Sequence, residues 1–219
     1  KLRGRGFYAA EDGCTFLAKY DGKATYVDER LTVDRELVID GDASNATGDI
    51  IFLNDVHIRG NVLAGVTVKS DKGSIIVDGY VESAVLIAKK DIVLKNGMQG
   101  NNRGKIIAGG NVSGKFFEQV TVEAGGDVNA NAIMNSHIEA GQDVTVSGRF
   151  GIIIGGIVHA MRQVNATIIG NMAEVSTKIH VGVEGDLFVL LDQCEREEAA
   201  AEGELERIVR ALSQLEQLI

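Results

Sequence analysis

A short repeat in the middle of the chain is the sequence feature that most restricts how it can fold. In each copy a small residue comes first, an acidic or amide residue fourth and an aliphatic residue fifth. The copies are Ala88–Ile92, Ala108–Val112, Ala124–Val128 and Ala140–Val144. They are offset by 20, 16 and 16 residues. This period is too short for a helical repeat, whose units need about 30 residues or more, and it indicates one turn of a parallel β-helix.

The residues around the repeat indicate short strands joined by glycine corners. Apolar and polar residues alternate before each small residue, as in Val120–Val122, so alternate side chains are expected to point inward and stack on neighbouring turns. The chain has 27 glycines and no proline. We interpret Gly48–Ile50, Gly60–Val62 and Gly73–Ile75 as the same step at closer spacing, which gives about seven turns. The hexapeptide pattern of left-handed β-helices is absent, so we predict the right-handed form.

The two flanks differ from the repeat. Strand-like alternation runs through residues 14–40, where Tyr20–Lys23 predicts a hairpin turn. After Val189, apolar residues recur at alternating steps of three and four, a heptad pattern interrupted by Glu198. This pattern predicts an acidic coiled-coil helix that continues beyond Ile219 in the natural protein.

The predicted fold is therefore all-β: a right-handed parallel β-helix, or solenoid, with an N-terminal β-hairpin segment and a C-terminal coiled-coil helix. The predicted division has three parts: 1–47, the N-terminal β-segment that leads into the solenoid; 48–190, the right-handed parallel β-helix; and 191–219, the truncated coiled-coil helix.

Composition and charge exclude several functional classes. The net charge of −9 argues against a nucleic-acid binder, which needs a basic face. No run of about 18 apolar residues is present, so membrane insertion is not expected. Cys14 and Cys194 stand far apart in unrelated contexts and predict neither a disulfide framework nor a zinc site. We expect no metal and no cofactor.

Polar residues at the repeat corners predict a column along one edge of the solenoid, a structural turn ladder. The members assigned to this column are Asp49, Asn61, Ser74, Asp91, Asn111, Asp127 and Asp143. Oxygen ligands in a row suit calcium. Each side chain can instead hydrogen-bond its own turn, and the interspersed Asn and Ser residues dilute the repulsion between carboxylates. The structural interpretation is favoured, and cation binding stays open.

No catalytic apparatus is recognisable in the sequence. Gly109–Lys115 has the spacing of a phosphate-binding loop, but Phe116 follows where that motif needs Ser or Thr. The four histidines are not at metal-ligand spacing and have no recognisable nucleophile beside them. We therefore predict that the chain is not an enzyme.

Two segments are candidates for contact with other proteins. Gly148–Gly156 is an apolar, glycine-flanked stretch that forms either a buried turn or an exposed docking patch, with Arg149 and Phe150 as the contact residues. The terminal helix is the other candidate, and it provides for self-association. Its contact residues are Leu205, Ile208, Leu212 and Leu215.

Taken together, the motifs resemble those of the flagellar assembly protein A (FapA) family over roughly residues 14–190. The segments that carry the resemblance are Gly60–Val62, Gly79–Ala84, Gly110–Val112, Lys115–Glu118, Gly126–Val128, Gly155–Gly156 and Ala160. The resemblance implies a right-handed β-helix in a bacterial, cytoplasmic protein that serves flagellar assembly or cell-pole organisation by binding other proteins. Lys89 and Lys90 depart from the family pattern, which has small residues there.

Three functions follow, in order of preference. The first is a non-enzymatic interaction scaffold in the cytoplasm whose partners are other proteins. The second is a polymer-forming cytoskeletal element in which solenoids stack through their open ends. The third is a polysaccharide-active enzyme on a β-helix.

Overall fold

The computed structural model describes residues 3–12, 14–182 and 185–216, with side chains described for only part of the last range. The chain divides into two compact units, Lys1–Gly182 and Val183–Ile219. The first unit consists of strands and the second contains one helix. The helix is α1 (Gly185–Glu216). The strands are β1 (Arg3–Arg5), β2 (Phe7–Ala9), β3 (Phe16–Ala18), β4 (Lys23–Val27), β5 (Arg30–Asp34), β6 (Leu37–Ile39), β7 (Ile50–Phe52), β8 (Val56–Ile58), β9 (Thr67–Ser70), β10 (Ile75–Val77), β11 (Tyr80–Glu82), β12 (Val85–Ala88), β13 (Ile92–Ala108), β14 (Val112–Ala124), β15 (Val128–Ala130), β16 (Ala132–Ala140), β17 (Asp143–Val146), β18 (Ile152–Ala160), β19 (Gln163–Ala166), β20 (Ile168–Ile169) and β21 (Thr177–Val181).

The first five strands form two small sheets ahead of the solenoid. β2 pairs with β3, and β4 pairs with β5, both antiparallel, while β1 lies parallel to β5. The β4–β5 hairpin turns at Asp28 and Glu29, which have φ angles of 49° and 60°. Two successive left-handed residues match the twist of a tight hairpin. The predicted hairpin turn at Tyr20–Lys23 is therefore wrong. That segment links β3 to β4, but these two strands do not pair with each other: β3 pairs with β2, and β4 pairs with β5.

The rest of the first unit is a parallel β-solenoid of about eight turns with three faces. Face A is the ladder of β6, β8, β10, the starts of β13 and β14, β15, β17 and β19. Face B contains β11, the middle of β13 and of β14, the starts of β16 and β18, and β20. Face C contains β7, β9, β12, the ends of β13, β14, β16 and β18, and β21. The predicted parallel solenoid is confirmed, whereas its handedness stays a prediction.

The pairing register corrects the interpretation of the upstream glycine segments. Ile50 pairs with Val68 on face C, Val62 bridges Val81 on face B, and Ile75 pairs with Ile92 on face A. The three segments are therefore three different corners of successive turns, because the same glycine-polar-aliphatic pattern serves every corner. The count of about seven turns came from treating them as one corner.

The core consists of the inward side chains of all three faces. Fully buried aliphatic residues such as Ile92, Ile106 and Ile138 alternate with outward residues along each strand, as predicted. Phe117, on face B, is among the largest fully buried side chains. The corner between faces C and A holds small residues, and Ala108 there is 4 % exposed.

The observed boundaries differ from the predicted ones at both ends of the solenoid. The parallel ladder already includes β6, which starts at Leu37 and pairs with β8, so the solenoid starts before residue 48. The helix starts at Gly185, before residue 191. A heptad pattern is recognisable only once its apolar residues have begun to recur. It therefore places the start of a helix later in the chain than the first helical residue. Association of this helix as a coiled coil stays a prediction.

Candidate functional site

The polar residues of the repeat line the corner between faces C and A. The backbone N–H of Asn111 donates to Asp91 Oδ1 at 2.7 Å, and that of Asp127 donates to Asn111 Oδ1 at 2.8 Å. The N–H of Asp143 donates to Asp127 Oδ1 at 3.1 Å. Each bond joins one turn to the next, whereas the sequence predicted bonds within a turn. The side chains thus continue the hydrogen-bonded ladder through a corner where the strands have ended.

Two residues that the sequence assigned to this column lie at other corners. Asp49 accepts the N–H of Thr67 at 2.9 Å, at the start of face C. Asn61 accepts the N–H of Tyr80 at 2.9 Å, at the start of face B. Ser74 does belong to the column, with the N–H of Asp91 at 3.4 Å from its Oγ. A hydrogen bond from a backbone N–H of one turn to a side-chain oxygen of its neighbour therefore links the turns at all three corners.

The last carboxylate of the column is paired with a guanidinium. Arg162 donates to Asp143 from Nε at 3.0 Å and from Nη2 at 2.8 Å. These hydrogen bonds, followed by the charge of Arg162, lower the pKa of Asp143 below its usual range. Among the described residues, no group of three or more His, Cys, Asp or Glu side chains is placed to hold a metal ion.

Replacing Asp143 with asparagine is expected to change how stability depends on pH. A carboxylate whose pKa is lowered by folding stabilises the fold above its unfolded pKa of about 3.9, and that contribution is lost as the pH falls through the folded pKa. Asp143→Asn should therefore be less stable than the parent at neutral pH, and the difference should shrink as the pH falls below the unfolded pKa of about 3.9 and disappear below the lowered folded pKa. Urea unfolding across this range measures the difference. In an Arg162→Met background the difference should vanish; its persistence there would contradict the assignment.

A column of apolar residues runs along the outside of face B. Strand register places these residues at outward positions of adjacent turns. The column is Tyr80, Gly97, Phe116, Ala132, Ile152 and Ile168. Tyr80 is 60 % exposed and Ile168 is 46 % exposed. Phe116, Ala132 and Ile152 are half-buried, and Gly97 is buried. Six neighbouring turns thus form an apolar column that is exposed at its two ends and half-buried or buried between them, which we name the face-B column.

Packing within the face-B column is close. A Cβ on Gly97 would lie 2.7 Å from Cδ1 of Phe116, so the missing side chain leaves room for that ring. The next outward position of each turn lies beside the column. It is polar in the earlier turns (Glu82, Gln99 and Glu118) and apolar and half-buried in the later ones (Met134 and Ile154). The equivalent outward positions of face A are polar in later turns, and the sequence there is Ser113, Asn129, Thr145 and Asn165. The outer surface of face B is therefore more apolar in its later turns than that of face A.

The stretch Gly148–Gly156, for which a buried turn and an exposed docking patch were the alternatives, is divided between core and surface. Ile153 is fully buried, whereas Phe150 is 61 % exposed. The Arg149 guanidinium lies 5.4 Å from the centre of the Phe150 ring. Both residues precede Ile152, which starts β18, in the chain. Of the helical contact residues, Leu205 and Ile208 are exposed, and the side chains of Leu212 and Leu215 lie outside the described part of the chain.

Comparison with known families decides the classification. The model of the Flagellar Assembly Protein A beta solenoid domain matches residues 35–218. The chain belongs to the FapA family. This match covers the solenoid and the helix, and the family's name ties the chain to flagellar assembly. No curated protein and no solved structure shows a significant match to the chain. No helix in the described ranges is long and apolar enough to cross a membrane.

The face-B column was not predicted from the FapA-like sequence motifs. Its members are separated by between 16 and 20 residues, and all but Ile168 are followed by a buried residue that dominates the local pattern. Phe116 and Phe117 illustrate this difficulty, because one ring is buried and the other half-buried. The column could have been found by counting the apolar residues at outward positions of successive turns. Such a count requires the register of every turn, which the sequence alone does not give.

Proposed function

We propose that this chain is a non-enzymatic, cytoplasmic scaffold that holds other proteins during flagellar assembly or cell-pole organisation. The observation that carries the proposal is the face-B column, an outward-facing apolar column on a ladder of hydrogen-bonded turns, with Tyr80 and Ile168 exposed at its ends. A partner can dock on such a surface without a change in its backbone, since the strands behind it are fixed by inter-turn hydrogen bonds. Membership of the FapA family supports the link to the flagellum.

The uneven distribution of apolar residues over the described surface supports a binding role. The exposed apolar side chains Tyr80 and Ile168 lie on face B, and exposed Phe150 comes just before the strand that enters it, whereas face A carries polar residues in its later turns. A partner that contacts face B would bury aromatic and aliphatic groups, which supply most of the energy at protein interfaces. Arg149 beside Phe150 adds a cation at the rim.

Affinity capture from a bacterial cytoplasmic extract tests this proposal with a matched pair of variants. Tyr80→Glu with Ile168→Glu adds two charges to the face-B column at positions that are already exposed. Asn129→Glu with Asn165→Glu adds the same charge to exposed positions of face A. We expect specific partners to be retained by the parent chain and the face-A variant and lost by the face-B variant.

The same variants should be compared in a motile strain whose own copy has been deleted. Swimming in soft agar is expected with the face-A variant and reduced with the face-B variant. Equal swimming by both, together with an identical set of captured proteins, would contradict binding through face B. Unchanged far-UV circular dichroism provides the folding control.

A further inference from the structure

The outer face of the N-terminal three-stranded sheet is basic. Arg3 pairs with Arg30 across β1 and β5, and Arg5 pairs with Thr32, so these four side chains share one face. Lys23 joins them from β4, opposite Asp34. The opposite face of the same sheet includes Val33, which is 3 % exposed and belongs to the interior. We name the outer surface formed by Arg3, Arg5, Arg30 and Lys23 the arginine face.

The arginine face has more cations than it has carboxylates to pair them. Arg5 forms an ion pair with Asp34 at 2.7 Å. Arg3, Arg30 and Lys23 form no ion pair with any residue in the described ranges, and all three are exposed. Arg3, Arg5 and Arg30 line a hollow of about 400 Å³ together with Gly4 and Thr32. In a chain with a net charge of −9, this surface selects an acidic partner.

The same chain has a strongly acidic segment in the first half of α1. Between Asp192 and Glu206 the sequence has seven carboxylates and one arginine. The acidic segment is defined by its exposed members, which are Glu195, Glu197, Glu198, Glu202 and Glu204. None of these five forms a salt bridge with another residue of the described part. This segment and the arginine face are therefore electrostatically complementary.

The heptad positions of these glutamates disfavour pairing of the acidic segment with a copy of itself. With Leu191 and Cys194 at positions a and d, Glu198 falls at a core position. Glu195 and Glu202 then occupy position e, and Glu197 and Glu204 occupy position g. Parallel helices would bring g against e, and antiparallel helices would bring e against e and g against g. Every arrangement opposes glutamate with glutamate, which destabilises the pair.

We propose that the arginine face of one copy binds the acidic segment of α1 of a second copy. The contact is heterologous, since different surfaces of the two copies meet, and repeated contacts build either a ring or an open filament. This self-association uses surfaces other than the face-B column, so its failure and the failure of the proposed scaffold function are distinguishable. Electrostatic attraction across this contact weakens as salt screens it.

Sedimentation velocity with charge-reversed variants of the full chain tests the proposal. Arg3→Glu with Arg30→Glu reverses the arginine face, and Glu198→Lys with Glu202→Lys reverses the acidic segment. At about 0.05 M NaCl we expect the parent chain to associate and each variant alone to associate at least about tenfold more weakly. An equimolar mixture of the two variants should associate again, because each reversed surface then meets its complement. Association of the parent should decline at about 0.5 M NaCl.

The matched control is Lys89→Glu with Lys90→Glu, which makes the same change in charge at an exposed corner of the solenoid. This control should associate like the parent chain. A parent chain that stays monomeric at every concentration and salt would overturn the proposal. An arginine-face variant that associates as strongly as the parent would also overturn the proposal. That result would mean that the copies associate without the arginine face, for example through their helices.

Discussion

Replacing Phe117 with alanine is expected to lower the free energy of unfolding by about 3–5 kcal/mol. Phe117 is fully buried among the inward residues of face B. Its ring lies against Gly114, since a Cβ on that glycine would be 2.9 Å from Cζ of Phe117. Removing the ring leaves a cavity that the neighbouring strands cannot close, because their inter-turn hydrogen bonds hold them in place.

The adjacent residue provides the control for this substitution. Phe116 belongs to the face-B column and is only half-buried, so Phe116→Ala should cost clearly less than Phe117→Ala. Urea-induced unfolding followed by circular dichroism measures both changes. Equal losses for the two variants would mean that Phe117 does not have the buried role assigned to it.

The second large effect is expected at a glycine corner. A Cβ on Gly125 would lie 2.4 Å from the backbone oxygen of Gly109 in the preceding turn. The turns cannot move apart at this point, since the N–H of Gly125 donates to Ala108 O at 2.9 Å. Gly125→Ala should therefore destabilise the chain by about 1–3 kcal/mol.

Gly41 is the matched glycine for comparison. A Cβ added there meets no atom within 4 Å. Gly41→Ala should change the free energy of unfolding by less than about 0.5 kcal/mol. Thermal or urea unfolding of the two variants side by side measures the contrast. A neutral Gly125→Ala variant would show that the corner has room for a side chain.

The sequence predicted the parts of the fold that repeat at one period. Ala108, Ala124 and Ala140 recur at 16-residue steps, and they lie at one buried corner of successive turns. The glycine segment at Gly60 was assigned to the wrong corner, because a glycine followed by a polar and an aliphatic residue satisfies the backbone at any corner. Local chemistry identifies a corner but does not say which of three it is.

The arrangement of the candidate surfaces was less predictable. The exposure of Phe150 and the burial of Ile153 depend on where the turn enters face B, which neighbouring residues alone do not determine. The arginine face depends on a parallel pairing of β1 with β5, two strands separated by 24 residues of chain. Contacts at such distances are decided by tertiary packing and not by local propensity.

The nearest-neighbour arrangement of the turns has a consequence for how such proteins change over evolutionary time. Each turn of the solenoid pairs only with the turns on either side, as β15 does with β14 and β17. Duplication or loss of one complete turn therefore alters the rod by a single increment of about 4.8 Å and leaves the remaining pairings intact. The length of the face-B column can thus change in discrete steps by genetic duplication, without redesign of the surface of any turn.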